Sequence, residues 1–294
     1  MESAKNLRKT SATGDLLALA IIFVGATLFG ALCLLALKPF FPEAASAEVE
    51  NGMGGGAGDW LTLVAYCAQF AAAIVAAHIY LRRKSTTLQA GGPAEKPVES
   101  SAPAGALLRN APLTLWGLIT VAAASVTIEP LMGLFPEKYL ERLGEAIGSG
   151  GVTIFLLVVI APVAEELFFR GIVLKRLGLS WSPWRAVVAS ALFFGLVHLP
   201  VWPQMVNAAV MGVVLGYVYV LTRSLAPVVV IHAINNGLAY LSLEIAGTQS
   251  DGLMEMTGGG TTYWIVYSAC AAVAAVSLPA MIIMAGKKHK VKKR

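Results

Sequence analysis

Apolar stretches of membrane length recur through almost the whole chain, and they restrict its fold more than any other feature. A helix needs about 20 apolar residues to cross a bilayer. Stretches close to that length run over residues 16–37, 60–81, 111–135, 151–172, 184–199, 203–222, 225–246 and 262–285. Only 13% of the residues are charged, whereas a soluble domain has roughly 25%. The sequence therefore predicts an all-α, polytopic membrane protein with about eight transmembrane helices.

Basic residues occur at alternate connectors between these stretches. They are Lys5, Arg8 and Lys9, then Arg82, Arg83 and Lys84, then Lys175, Arg176 and Arg185, then Arg223, and finally the tail from Lys287 to Arg294. The opposite connectors carry mainly acidic residues, namely Glu43, Glu48, Glu141, Glu145, Asp251 and Glu255. Because basic residues mark the cytoplasmic side of membrane proteins, we predict that both termini are cytoplasmic. We interpret the basic tail as a cytoplasmic segment next to the membrane, and we therefore expect no nucleic-acid partner.

Composition divides the chain into three regions. Residues 1–110 hold two membrane helices and a Pro/Gly-rich cytoplasmic linker at about 85–110; residues 111–250 hold most of the polar membrane residues; residues 251–294 hold the last helix and the tail. Ala45-Ser46-Ala47 resembles a signal-peptide cleavage site, and cleavage there would leave seven helices. The preceding apolar run of about 22 residues exceeds the usual 7–15 of a signal peptide, so we expect this helix to be retained.

Two adjacent carboxylates and an arginine end the fourth apolar stretch. Glu165, Glu166 and Arg170 lie in an otherwise apolar segment. A charged residue at the bilayer centre costs roughly 2.5–3.5 kcal/mol on insertion scales and usually faces a cavity or a partner. Glu166 and Arg170 have the i, i+4 spacing that places side chains on one helix face. This cluster is therefore the first candidate for a functional site.

Two of the four histidines fall within later membrane helices. His198 ends the fifth stretch, and His232 shares one helix face with Asn236 through an i, i+4 spacing. Helix rise from the flanking basic residues puts both histidines and Glu165 at similar depth near mid-membrane. The fifth stretch, at about 24 Å, is short for a full crossing. We therefore predict that His198 lies at the inner tip of a helix hairpin whose turn, residues 199–203, is embedded.

Glutamate, histidine and asparagine side chains gathered in one cavity favour activation of a water molecule. A carboxylate can take a proton from water, a histidine can hold that water, and an Asn amide with a His N–H can stabilise an oxyanion. No serine or cysteine nucleophile accompanies them, and Cys33, Cys67 and Cys270 read as small core residues. Peptide hydrolysis fits best. A proton-coupled transporter would also use buried Glu and His, but the chain shows no inverted repeat.

Three motifs occur in order on successive helices: Glu165-Glu166-x-x-x-Arg170, Phe194-x-x-x-His198 and His232-x-x-x-Asn236. Together they resemble the motifs of the type II CAAX prenyl endopeptidases, the CPBP or Abi family of intramembrane proteases. The resemblance covers about residues 112–246 and implies that 111–250 is a catalytic membrane domain with an intramembrane cavity. It further implies an integral-membrane endopeptidase, located in the cytoplasmic membrane if the source is bacterial.

The same resemblance assigns roles to the motif residues. Glu165 would activate the water, His198 would position it, His232 and Asn236 would stabilise the oxyanion, and Glu166 with Arg170 would form a supporting ion pair. The family has also been interpreted as zinc-dependent, in which case Glu165, His198 and His232 would be the ligands. The chain lacks the His-Glu-x-x-His spacing of many zinc proteases, so we predict catalysis without a metal cofactor.

The resemblance leaves substrate and activity open. It implies a peptide or membrane-protein substrate, with or without a lipid group, that reaches the site within the lipid bilayer. A catalytically idle relative acting as a scaffold or bacteriocin immunity protein is the main alternative. Two further predictions concern packing: Asn207 should bond a neighbouring helix, and Gly212 and Gly216 have the small-xxx-small spacing of close helix contacts, although ordinary packing would explain them equally.

Overall fold

The computed structural model describes residues 2–41, 57–88, 103–132, 134, 150–246 and 253–292. The acidic outer residues from Glu43 to Glu50, Glu141, Glu145 and Asp251 lie outside the described residues, as does the cleavage-like sequence Ala45-Ser46-Ala47. The middle of the predicted linker, residues 89–102, lies outside them as well.

Helices make up nearly all of the described chain. In chain order they are α1 (Glu2–Leu37), α2 (Ala57–Leu88), α3 (Pro103–Arg109), α4 (Ala111–Met132), α5 (Gly151–Leu177), α6 (Pro183–Leu196), α7 (Trp202–Thr222), α8 (Leu225–Ala246), α9 (Leu253–Met256) and α10 (Gly260–Lys292). A single 3₁₀ turn, Lys38–Phe40, follows α1. No strand is present among the described residues, and the predicted all-α fold is confirmed.

Seven of these helices, α1, α2, α4, α5, α7, α8 and α10, are long and apolar enough to cross a membrane. Helix α6 has only 14 residues, which corresponds to about 21 Å at 1.5 Å per residue, against roughly 30 Å of hydrocarbon. The predicted set of about eight thus consists of seven long helices and one short one. The protein is a polytopic integral membrane protein.

The linker predicted over residues 85–110 is wrong at both ends. Helix α2 continues to Leu88, and Pro103–Arg109 forms α3 immediately before α4. Proline at the first position of α3 suits a helix start, because its missing N–H has no partner there in any case. Polar and small residues in this stretch therefore extend the helices beyond the apolar segments.

Helices α6 and α7 form an antiparallel hairpin with very close backbones. A Cβ atom built on Gly195 would lie 2.8 Å from the Met205 carbonyl oxygen, and one built on Gly216 would lie 2.8 Å from Val187. A Cβ on Gly212 would lie 3.1 Å from Ala191. Gly212 and Gly216 thus make close helix contacts of the kind that their small-xxx-small spacing allows, and Gly195 is their counterpart on the facing helix.

A cluster of phenylalanines joins the N-terminal helices to the rest of the molecule. Phe23 of α1 lies 5.6 Å from Phe70 of α2 between ring centroids, and 5.1 Å from Phe168 and 5.7 Å from Phe169 of α5. Phe193 of α6 closes the cluster at 5.8 Å from Phe23. These five rings pack α1 and α2 directly against the helix that carries the two glutamates.

A buried aspartate ties the same helices together near one end of the bundle. The Asp15 side chain of α1 is only 2% exposed and forms ion pairs with Lys84 of α2 and, at 2.9 Å, with Arg176 of α5. The Tyr80 hydroxyl donates to the same carboxylate at 2.8 Å. Since buried charges need partners, this group fixes α1 and α2 against α5. The sequence contains no local sign of this pairing.

Candidate active site

A cavity of about 330 Å³ lies among α2, α5, α7, α8 and the turn that follows α6. Its lining includes four of the predicted site residues, Glu165, His198, His232 and Asn236. The two predicted supporting residues, Glu166 and Arg170, lie behind the cavity wall and are almost completely buried. The fold therefore brings all six predicted residues into one neighbourhood.

Helix α5 is distorted on both sides of the two glutamates. Its α-helical turn Ala161–Glu166 is preceded by a π-helical stretch, Leu156–Ile160, and followed by another, Leu167–Leu174. Pro162 has no N–H, so the carbonyl four residues earlier lacks its α-helical partner, which accounts for a wider turn at that point. Wide turns of this kind are rare in proteins overall, and many of those that occur lie at functional sites. Here they flank the helix segment that presents adjacent carboxylates in different directions.

Glu166 faces the protein core and forms a buried charged network. Its Oε1 atom accepts hydrogen bonds from Arg170 Nη1 at 2.7 Å and from His232 Nδ1 at 2.9 Å. The Arg170 guanidinium lies 4.6 Å from the centre of the Phe194 ring, and its Nη2 donates a long bond of 3.4 Å to the Gly212 carbonyl. The predicted Glu166–Arg170 pair is therefore present. It also holds His232, which lies on a different helix.

Glu165 faces the cavity, and its two oxygens have different surroundings. Oε1 accepts a hydrogen bond of 2.6 Å from the hydroxyl of Tyr66. Oε2 lies 3.6 Å from His232 Nε2, which is beyond hydrogen-bonding distance. One oxygen is thus held firmly by a hydrogen bond, whereas the other lies beside the His232 ring without a hydrogen bond to it.

Tyr66 was not identified from the sequence. It lies on α2 and is 99 positions from Glu165, in an apolar stretch where a tyrosine is an ordinary core or interface residue. No motif or spacing marks it. Only the packing of α2 against α5 brings its hydroxyl to the cavity.

His198 lies just beyond the last residue of α6. Its Nδ1 is 2.7 Å from the Phe194 carbonyl oxygen, which can only accept. This contact assigns the proton of a neutral ring to Nδ1 and leaves Nε2 as an acceptor. The ring packs against Phe194 with centroids 4.9 Å apart. The predicted position at the tip of a helix hairpin agrees with the structure, while embedding of the turn in lipid stays a prediction.

Asn236 is anchored to α5 by its side-chain amide. Its Nδ2 donates a hydrogen bond of 3.0 Å to the carbonyl of Leu157, within the first π-helical stretch. An amide nitrogen carries two donors, so the second can serve a ligand in the cavity. Asn207 lines the same cavity and accepts a 3.3 Å hydrogen bond from Ser125 of α4, as predicted for a bond to a neighbouring helix.

A metal centre is the alternative for this site, and the arrangement of donor side chains bears on it. Across the described ranges, no group of three or more His, Cys, Asp and Glu residues is arranged to hold a metal ion. Glu165, His198 and His232, the ligands of that alternative, are not gathered into such a group. His198 Nδ1 and His232 Nδ1 bond to protein oxygens, and bonds of this kind orient the second ring nitrogen of a histidine towards a metal as readily as towards a water. Catalysis without a metal cofactor stays a prediction.

Comparison with known proteins gives one finding. A family model described as type II CAAX prenyl endopeptidase Rce1-like matches residues 148–238. This stretch is about a third of the chain and includes all six predicted site residues. No curated protein and no solved structure matches the chain. Helices α1 and α2, including Tyr66, lie outside the matched stretch.

Proposed function

We propose, from the match of residues 148–238 to the Rce1-like type II CAAX prenyl endopeptidase family, that this integral membrane protein hydrolyses peptide bonds with water activated by Glu165. The observation that carries the proposal is the single cavity lined by Glu165, His198, His232 and Asn236. These side chains supply a general base, a hydrogen-bond acceptor that orients the water, and two hydrogen-bond donors to the oxyanion. Those are the groups that peptide hydrolysis by water requires.

In the first step, a water in the cavity attacks the carbonyl carbon of the scissile bond. Glu165 accepts one proton of that water through Oε2, since Oε1 is engaged by Tyr66. His198 Nε2 accepts a hydrogen bond from the other O–H and orients the attack. The tetrahedral oxygen then becomes negative. When the C–N bond breaks, the proton held by Glu165 passes to the leaving amine, so that the carboxylate is restored.

Asn236 and His232 are the proposed donors to the tetrahedral oxygen. Asn236 uses the N–H that does not bond to Leu157. His232 already directs Nδ1 at Glu166, so donation from Nε2 requires a ring that carries both protons. Before the attack, the positive charges of that ring and of Arg170 balance the negative charges of Glu165 and Glu166. After Glu165 has taken the proton of the water, the tetrahedral oxygen carries the negative charge that Glu165 has lost. The buried network thus has a role in charge balance as well as in geometry.

The proposed substrate is a peptide or a segment of a membrane protein, with or without a lipid group. A cavity of about 330 Å³ is at the low end of the range for ligand pockets, so it suits a few residues around the scissile bond and excludes a folded domain. The substrate would reach it within the bilayer.

Both termini are proposed to be cytoplasmic, because basic residues are concentrated at both ends of the chain and at the connectors on the same side of the membrane, and basic connectors mark the cytoplasmic side. Reporter fusions at residues 1 and 294 test this orientation.

The direct test of the function is hydrolysis by purified protein in lipid nanodiscs. A prenylated CAAX peptide and a short leader peptide serve as substrates for wild type, Glu165→Gln and Glu129→Gln. Loss of the general base should reduce kcat by about 10²–10⁴-fold. Glu129 is the matched control, because its carboxylate bonds to the Leu253 N–H away from the cavity. Equal activity of wild type and Glu165→Gln would contradict the mechanism.

The same assay separates the alternatives. Activity that survives a strong chelator is expected for a water-activating glutamate. Activity that disappears with the chelator and returns with Zn²⁺ would favour the metal-dependent alternative. A wild-type protein that binds the peptides without cleaving them would favour the catalytically idle scaffold or immunity protein.

A further inference from the structure

We infer that Tyr66 is a positioning residue for Glu165, and that α2 therefore belongs to the active centre although it lies outside the family-matched residues. The inference rests on the proposed function, because it assigns a role relative to the catalytic carboxylate. It also gives the N-terminal region a role in catalysis, since that region completes the site instead of only adding membrane helices.

The first support is the contact itself. The Tyr66 hydroxyl donates to Glu165 Oε1 at 2.6 Å, which is within the short range of an O–H bond to a carboxylate. Tyr66 also lines the cavity beside Glu165. The contact leaves Oε2 as the oxygen available to a water. Because a carboxylate group is rigid and planar, a hydrogen bond that holds one oxygen also restricts the position of the second oxygen.

The second support is the rigidity of the Tyr66 ring. It packs on Phe70, one turn further along α2, with ring centroids 4.8 Å apart. Phe70 packs on Phe23, and Phe23 contacts Phe168 and Phe169, which follow Glu165 on α5. Rings packed in this way hold a hydroxyl in one position, which is what positioning of a catalytic group requires.

The third support is the attachment of α2 to α5 at two separate levels. Near one end of the bundle, Asp15 joins Lys84 of α2 to Arg176 of α5. At the level of the cavity, Phe70 of α2 packs through Phe23 on Phe168 and Phe169 of α5. Because α2 is held against α5 at both levels, the separation of Tyr66 from Glu165 follows from helix packing and does not depend on their hydrogen bond alone.

A comparison of Tyr66→Phe with Tyr80→Phe tests the inference. Both tyrosines lie on α2, and each donates a hydrogen bond to a carboxylate of another helix. Only Tyr66 contacts Glu165. In both variants one hydroxyl is lost, so similar decreases in the unfolding temperature are expected. In Tyr66→Phe, kcat should fall by about 10–100-fold, the effect of a lost hydrogen bond to a charged group, while KM stays close to the wild-type value.

Three further measurements decide between positioning and a merely structural role. Placing 3-fluorotyrosine at position 66 keeps the donor and the ring, so it should retain the wild-type kcat. The double variant Glu165→Gln with Tyr66→Phe should be no slower than Glu165→Gln, because Tyr66 acts through Glu165 and coupled effects do not add. Tyr80→Phe should keep the wild-type kcat.

Several outcomes would overturn the inference. They are an unchanged kcat in Tyr66→Phe, a kcat in Tyr80→Phe that falls as far, or an additive loss in the double variant. These results differ from failure of the proposed function. That failure would appear as full activity in Glu165→Gln, whatever the behaviour of Tyr66→Phe.

Discussion

At the scale of single residues, adjacent glutamates have opposite environments. The Glu166 side chain is fully buried and bonds to Arg170 and His232, whereas the Glu165 side chain retains 12% exposure at the cavity. A carboxylate buried without partners would be very costly, so Glu166 depends on the cation that pairs with it. Glu165 borders a cavity with room for water. One chain position therefore separates a structural carboxylate from the proposed catalytic one.

The first prediction concerns the buried pair. Arg170→Gln leaves the Glu166 carboxylate without its main partner, and we expect a loss of about 3–5 kcal/mol in the free energy of unfolding. The measurement is denaturant or thermal unfolding in a fixed detergent. Removing the uncompensated charge with the second change, Glu166→Gln in the Arg170→Gln background, should recover part of that loss. A double variant less stable than Arg170→Gln would contradict the charge-pair explanation.

The second prediction concerns the oxyanion donors. Asn236→Ala removes a side-chain donor from the cavity and should reduce kcat by about 10²–10³-fold, as the loss of one oxyanion-hole donor does. Asn207→Ala is the control, since that amide lines the same cavity but has no role in the proposed mechanism. Steady-state kinetics on one peptide substrate provide the measurement. Comparable losses of kcat in the two variants would remove the special role of Asn236.

At the scale of elements, the α6–α7 hairpin sets the position of His198. The helix ends at Leu196, two residues before the histidine, and the Phe194 carbonyl of its last turn orients the ring. Close backbones hold α6 on α7 through Gly195, Gly212 and Gly216. The short length of α6 brings its end to the cavity. The glycines at the α6–α7 contact hold that end in place.

The third prediction tests that hairpin. Gly195→Ala puts a methyl group 2.8 Å from the Met205 carbonyl oxygen, and overpacking of this kind costs about 1–3 kcal/mol. The methyl group would also shift the helix end that carries His198, so kcat should fall. Gly25→Ala on α1 is the matched control, because a Cβ there meets nothing within 4 Å. Unfolding temperature and kcat are the measurements. Equal stability of the two variants would argue against close packing.

At the scale of the whole molecule, the N-terminal helices and the matched domain form one packed unit. The phenylalanine cluster, the Asp15 ion pairs and the Tyr66–Glu165 bond each join α1 or α2 to α5. The last helix is joined as well, since Lys288 of α10 donates to the Leu221 carbonyl at the end of α7. The predicted division at residue 110 stays a prediction, and these contacts join helices from both sides of it.

The fourth prediction tests the attachment of the N-terminal helices. Asp15→Asn removes both ion pairs while the shape is kept. Because Lys84 and Arg176 are 27% and 23% exposed, solvent can hydrate them, and we expect a loss of about 1.5–3 kcal/mol, less than for a fully buried pair. The measurement is thermal unfolding in lipid nanodiscs. Asp59→Asn, in the first turn of α2, should cost less than about 1 kcal/mol. Similar losses in both variants would contradict the attachment.

The sequence alone determined the membrane fold, the approximate helices and the six motif residues. These features are local: apolar length decides whether a segment can cross lipid, and the cost of a polar group in lipid marks each candidate site residue at its own position. Only the tertiary structure decided that Asp15 pairs across three helices, that Glu166 also holds His232, and that Tyr66 reaches Glu165. These are contacts between distant positions, and they depend on how the helices pack and on the wide turns of α5. Neither leaves a periodic pattern along the chain.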